Sequence, residues 1–405
     1  MNMQTAPTAD ISPASKWKKW IDNPSVITII YFLVTILLFI QVASFGKYNN
    51  FIIFRDSLQH LIHKLPLYNL YPAEYYDYYL YHPSFPVLFA PFAILPKEIG
   101  LGCWLLCSTA IFLYAIWQLP FEKKTNNMIA WFLLVELSNA IQSSQTNPAM
   151  TALMILAVVH MHRRQPAWAA LYTCLCFFIK GYGAVVGIAF LFFPKKGKYL
   201  GWCVIWTLIG SALPLLFLSP TELKQQYIDW IQLLTSTTIK EDGSLLGMLH
   251  VMLHLPESII PGFDKIALAI AGISLLWILG KGFFTKNPLY PWLLLAYLLI
   301  WIVIFNQSTE APTYIIALTG TAIACYALPL SSTWRKICLW SLFIITSLSP
   351  TELVPPFIHQ YAIAWHIKAL PCAVILILLQ YYIGVCNDSV FIKVSHRGQD
   401  LYDRN

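Results

Sequence analysis

Residues 47–96 read KYNNFIIFRDSLQHLIHKLPLYNLYPAEYYDYYLYHPSFPVLFAPFAILP. This stretch follows an apolar run from Val26 to Phe45. Arg55, Asp56, His60, His63, Lys64, Glu74 and Asp77 interrupt it, so the stretch as a whole is not a bilayer span. It is also too long and too rich in Tyr and Pro for a simple connection, and it suits an ordered surface at headgroup depth. Its apolar piece, 85–95, holds Pro86 and Pro91 and is flanked by Pro83 and Pro96. Those prolines favour a short re-entrant segment over a crossing.

Outward from this stretch, the chain has 405 residues, 58% hydrophobic and 11% charged, against roughly 25% charged in soluble domains. Runs long enough to approach the ~20 apolar residues of a membrane helix recur between 26 and 386. The reading is an all-α polytopic membrane protein with one integral membrane domain at 26–386. The run at 26–46 exceeds the h-region of a signal peptide and is read as a retained helix.

Basic clusters at Lys16 to Lys19, Lys123/Lys124, Arg163/Arg164, Lys195/Lys196/Lys198, Lys281/Lys286, Arg335/Lys336 and Lys393/Arg397 are all placed on the cytoplasmic side. Crossings then fall at 26–46, 98–118, 128–142, 148–162, 166–180, 181–194, 199–218, 262–280, 288–306, 312–329, 337–349 and 366–386, about twelve in all. The segments 1–25 and 387–405 are cytoplasmic. The loops 47–97 and 219–261 lie outside, together with 142–147, the turn at Lys180, 306–312 and 350–366. Within 219–261, Ser219-Pro-Thr-Glu222 begins an amphipathic helix expected on the membrane surface.

The net charge of +7 lies in short clusters beside apolar runs and forms no stripe for nucleic acid. The nine cysteines sit in or at the edge of apolar runs and are read as small hydrophobes, with no disulfide framework or zinc spacing. His60, His63 and His82 define no metal site by spacing. A divalent metal stays open as a cofactor, although no Asp-x-Asp pair is present.

Several residues could carry chemistry. Lys180 ends an apolar stretch, where an ammonium needs a counter-ion or water; a lipid-linked phosphate and a snorkelling helix end are both open readings. Glu136, Asn139 and Ser143 share a helical face, with Gln145 and Asn147 beyond it. They suit either sugar hydroxyls or neighbouring helices. Asp56, Glu74 and Asp77 are candidate bases towards an acceptor hydroxyl, or else paired and solvated acids.

The segments NNFIIFRDS, PLYNLYPAEYYDYYLYHPSFPVLFAPFAILP with Trp104 after it, Gln145-Thr-Asn147, the Lys180 segment and EAPTYIIALTG from Glu310 appear in this order. In order and spacing they resemble glycosyltransferase family 87, of the GT-C membrane glycosyltransferases. The resemblance implies a GT-C-like bundle that moves a hexose, mannose-like, with inversion. The donor would be a polyprenyl-phosphate sugar and the acceptor a lipid or glycan, at the outer, periplasmic face of a bacterial inner membrane. It further implies Lys180 and Arg55 at the donor phosphate, and Gln145, Asn147, Tyr81, His82 and Glu310 around sugar or acceptor. Similar members carry Asp where this chain has Asn50, and an amide cannot act as that base. Two other readings are a lipid-carrier or small-molecule transporter or flippase, and a catalytically silent relative.

Overall fold

The computed structural model describes residues 20–236, 243–351 and 353–385. The basic residues Lys16 to Lys19, Cys386 and the tail with Lys393 and Arg397 lie outside them. The described residues form helices and turns without a strand.

The first helix, α1 (Pro24–Phe45), starts where the Asn23 side chain accepts from the Ser25 amide at 2.9 Å, with Pro24 at its first turn. It ends at Gly46, whose φ of 65° is a left-handed cap. Most of its apolar side chains are exposed or half-buried, as suits contact with lipid. Thr35 and the Tyr31 hydroxyl reach inward, Thr35 to Thr109 at 2.8 Å on α4 (Lys97–Trp117) and Tyr31 to the Ala130 carbonyl on α5 (Lys123–Gln142).

Residues 47–96 fold against this wall. Helix α2 (Asn49–Ile62) buries Phe51, Phe54, Leu58 and Leu61. The Phe54 ring meets Tyr81 at 4.8 Å and Phe85 and Phe89 at 5.4 Å, and Phe89 meets Trp104 at 5.1 Å. Edge-on aromatic pairs add about 0.5–1.5 kcal/mol each beyond burial, so this loop is a packed layer. Helix α3 (Phe85–Ala93) has nine residues, about 13 Å of rise, and cannot cross a core of about 30 Å. It turns back to α4 through a close contact at Gly100, where a Cβ would stand 2.3 Å from the Phe92 carbonyl oxygen.

The most buried helices are short: α6 (Asn147–His162), α12 (Tyr290–Ile304) and α13 (Tyr314–Ala327). The longer α8 (Lys196–Ala212) and α11 (Ile260–Gly282) lie outside them with mostly exposed apolar faces. A helix shielded by protein need not match the hydrocarbon thickness, whereas one facing lipid must. Between these groups run α7 (Pro166–Ile179) and a 3-10 segment, Gly181–Phe192. They meet at Lys180, whose φ of −140° and ψ of 116° interrupt the helix.

Helix α9 (Pro220–Ser236) is capped as its sequence predicts. The Ser219 amide donates to Glu222 Oε2 at 2.6 Å and the Glu222 amide donates to Ser219 Oγ at 3.3 Å, a reciprocal capping box. These donors hold the exposed Glu222 carboxyl below its ordinary range. The helix lies over the first loop, with Lys64 3.2 Å from Glu222, the Leu67 amide 3.1 Å from Gln226 Oε1, and Trp230 Nε1 3.3 Å from the Leu80 carbonyl. Short helix α10 (Leu245–Met252) follows.

Beyond α13, α14 (Ser332–Leu342) continues into a π-helical turn, Phe343–Leu348, and α15 (Pro356–Ala364) meets α16 (Ala369–Val385) at a bend of 56°. The count of about twelve crossings is not reproduced by length. Among the described residues 4 helices are long and apolar enough to cross, or 5 if the bent pair is one span. Five further apolar helices are shorter, 181–194 being the 3-10 segment. Three of these short elements, α6, α12 and α13, are almost wholly buried in protein, where a helix need not match the hydrocarbon thickness.

Candidate functional site

The polar centre is the turn between α5 and α6. Helix α5 ends at Gln142, and Ser144 takes a φ of 52°, left-handed for a non-glycine residue and therefore strained. Other elements hold this turn by its carbonyls. Asn50 Nδ2, at the start of α2, donates to the Ser143 oxygen at 2.9 Å, and Trp104 Nε1 donates to the Ser144 oxygen at 3.1 Å. Asn50 thus supports the turn as a donor, a task a carboxylate could not perform.

Ser144, Gln145, Thr146 and Asn147 are all buried. Gln145 Nε2 donates to Glu310 Oε2 at 3.1 Å, tying the turn to the 3-10 segment Ala311–Thr313 that precedes α13. Asn147 Oδ1 accepts from Lys180 Nζ at 3.4 Å, and the ammonium lies 5.6 Å from the centre of the Tyr81 ring. Glu310 also lies within electrostatic reach of Lys180, Tyr81 and Tyr182. Four separated parts of the chain thus meet here: Tyr81, the turn, the break at Lys180 and Glu310.

The turn is not internally satisfied. Ser144 Oγ, Gln145 Oε1 and Asn147 Nδ2 are buried without a hydrogen-bond partner. Each such atom costs about 1–3 kcal/mol, a cost a bound polar ligand can remove. The free Asn147 amide stands at the positive end of α6, with Lys180 beside the same side chain. An ammonium, an amide donor and a helix start together suit an anion.

Behind Glu310 lies a pair absent from the sequence-based site. Lys368 Nζ, at the bend between α15 and α16, is 2.8 Å from Glu136 Oε1 on α5, and it also donates to the Ala311 carbonyl at 3.0 Å. Glu136 is 0% and Lys368 6% exposed, so both charges are out of water. The Tyr314 ring stands 5.0 Å from the ammonium, while Glu136 Oε2 has no partner. The available signal for Lys368 was a lone lysine entering an apolar run; its partner lies 232 residues away.

The acids of the first loop occupy another place. Asp56 is 3.1 Å from Arg55, and burial pushes its carboxyl above the ordinary range despite that guanidinium. Glu74 is 2.8 Å from His60 Nε2, whose ring stacks on Tyr71 at 3.9 Å. Asp77, at a φ of 79°, turns its Oδ1 onto the Tyr78 amide at 2.8 Å. None of the three hydrogen-bonds the turn at Ser143–Asn147. His82 sits among Phe177, Phe178, Tyr227 and Trp230 and accepts from the Ser84 amide at 3.1 Å. Burial lowers its imidazole to about 3, so it is neutral at ordinary pH. Among the described residues, no three His, Cys, Asp or Glu side chains stand together as a metal-ligand set.

No curated protein was found to match the chain. The sequence model of glycosyltransferase family 87 matches residues 79–329, more than half of the chain. The matched part contains Tyr81, Gln145, Asn147, Lys180 and Glu310 and begins after Asp56, Glu74 and Asp77.

Proposed function

We propose, for a chain that belongs to glycosyltransferase family 87 and is a membrane glycosyltransferase, that it moves a hexose from a polyprenyl phosphate to a hydroxyl acceptor with inversion. The observation that carries the reading is that Lys180 and Glu310 meet Asn147 and Gln145 of one buried turn with unpartnered polar atoms. Lys180 and the Asn147 amide hold the donor phosphate, aided by the positive end of α6. Gln145 and Tyr81 line the sugar. The positively charged break at Lys180 lowers the barrier by stabilising charge that grows on the phosphate as the glycosidic bond opens. The site faces the outer side of the membrane, opposite the basic loops. Arg55 is paired with Asp56 in the first loop.

The test is transfer by the full chain in liposomes, with undecaprenyl-phosphate mannose as donor and octyl mannoside as acceptor. Formation of the octyl disaccharide, with release of undecaprenyl phosphate, is the expected result. A protein that binds undecaprenyl phosphate but yields no product would fit a carrier instead and overturn the enzymatic reading.

A further inference from the structure

We propose that Glu310 is the base that takes the proton of the acceptor hydroxyl, and that the buried Glu136–Lys368 pair positions it. This rests on the glycosyl-transfer reading above. Glu310 supplies the carboxylate that hydrogen-bonds the buried turn, through Gln145. Asn50 reaches the same turn as an amide, and Asp56, Glu74 and Asp77 are engaged by Arg55, His60 and the Tyr78 amide. Gln145 occupies Oε2 of Glu310 and leaves Oε1 for a hydroxyl, in a residue otherwise open to solvent.

In the step, the acceptor O–H bond breaks and its proton passes to the Glu310 carboxylate. The acceptor oxygen forms the new bond to the anomeric carbon. The bond from that carbon to the phosphate oxygen breaks, and its electron pair leaves with polyprenyl phosphate next to Lys180. Atoms and charge balance without an oxidant or reductant.

Precision in Glu310 comes from behind it. Glu310 begins a 3-10 turn, closed by the Thr313 amide donating to the Glu310 carbonyl at 3.0 Å. The next carbonyl, that of Ala311, accepts from Lys368, and Glu136 holds Lys368. A third irregular element joins them, since Thr346 Oγ1 in the π-helical turn donates to the Lys368 carbonyl at 3.2 Å. A buried ion pair adds little net stability over an apolar replacement of similar shape, whereas a lone buried charge is strongly destabilising. Its recurring use is to fix one arrangement, and here the fixed element carries Glu310.

Glu310→Gln keeps the shape and the contact with Gln145. Its turnover is expected to fall about a thousandfold, with undecaprenyl phosphate binding unchanged. If the unaltered protein makes product and Glu310→Gln retains more than a tenth of its turnover, the assignment of Glu310 is overturned while glycosyl transfer stands. If the unaltered protein makes none, the transfer reading falls and the assignment with it.

Positioning is tested with the doubly neutral Glu136→Gln/Lys368→Met, which leaves no lone buried charge. Turnover is expected to fall on the order of tenfold to a hundredfold with little change in donor KM. Lys368→Arg, which retains a cationic donor, should recover most of the rate. Unchanged turnover in a folded double variant would overturn the positioning role.

Discussion

The first loop and the turn at Ser143–Asn147 are both rich in polar groups, but they treat them in opposite ways. In the first loop each acid is engaged close to home: Asp56 by Arg55, Glu74 by His60, Asp77 by the Tyr78 amide. In the turn, the partners come from Asn50, Trp104, Lys180 and Glu310, while Ser144 Oγ, Gln145 Oε1 and Asn147 Nδ2 still have none. Charge density therefore marks a folded surface in one region, and an unfinished set of hydrogen bonds marks the proposed ligand site in the other. The difference teaches that the more conspicuous acids need not be the ones that meet substrate.

The largest break between the regions is expected at Lys180. Lys180→Met should reduce transfer on the order of a hundredfold to a thousandfold, and it should weaken binding of undecaprenyl phosphate measured by titration. Preserved binding would remove the phosphate from this site. Next comes His82, in the packed layer. Its folded-state value of about 3 lies below the ordinary 6.5, so the unfolded chain binds the extra proton first. Stability is therefore full above about pH 6.5 and lost as pH falls towards 3, by about 2 kcal/mol at pH 5. Thermal melting of His82→Phe should lack that share of the acid dependence.

A smaller effect is expected at Gln145. Gln145→Leu should lower turnover about tenfold by releasing Glu310 Oε2, roughly 1.4 kcal/mol of the barrier. The smallest effects belong to Asp56→Asn and Glu74→Gln, each within about 1 kcal/mol of stability because the pairs they break reach the surface. A large loss of turnover in either one would place the first-loop acids at the reacting atoms and reverse the comparison.

Much of this was legible in residue types. Ser219 and Glu222 stand three apart before an amphipathic run, and they form the expected cap. Prolines around 85–95 fall in and beside a helix of only nine residues. The pieces at Gln145, Asn147, Lys180 and Glu310 were each visible as polar residues in apolar settings. Their meeting was not, because contacts 33 and 165 residues apart leave no local pattern. Length alone supports fewer spans than hydropathy for a related reason: α6, α12 and α13 are short and apolar while buried in protein. Lys368 escaped because His359, Gln360 and His366 make its approach read as a loop.

The Glu136–Lys368 pair also has a consequence for biosynthesis. Glu136 is made 232 residues before its cation, so a growing chain carries an uncompensated acid in α5 until the last helices arrive. Translocon scales place a central charge at about 2.5–3.5 kcal/mol against insertion. Seating the bent carboxyl-terminal pair is thus the event that closes the bundle electrically. A chain stopped short of Lys368 would keep Glu136 as a lone buried acid, the costly half of a broken pair.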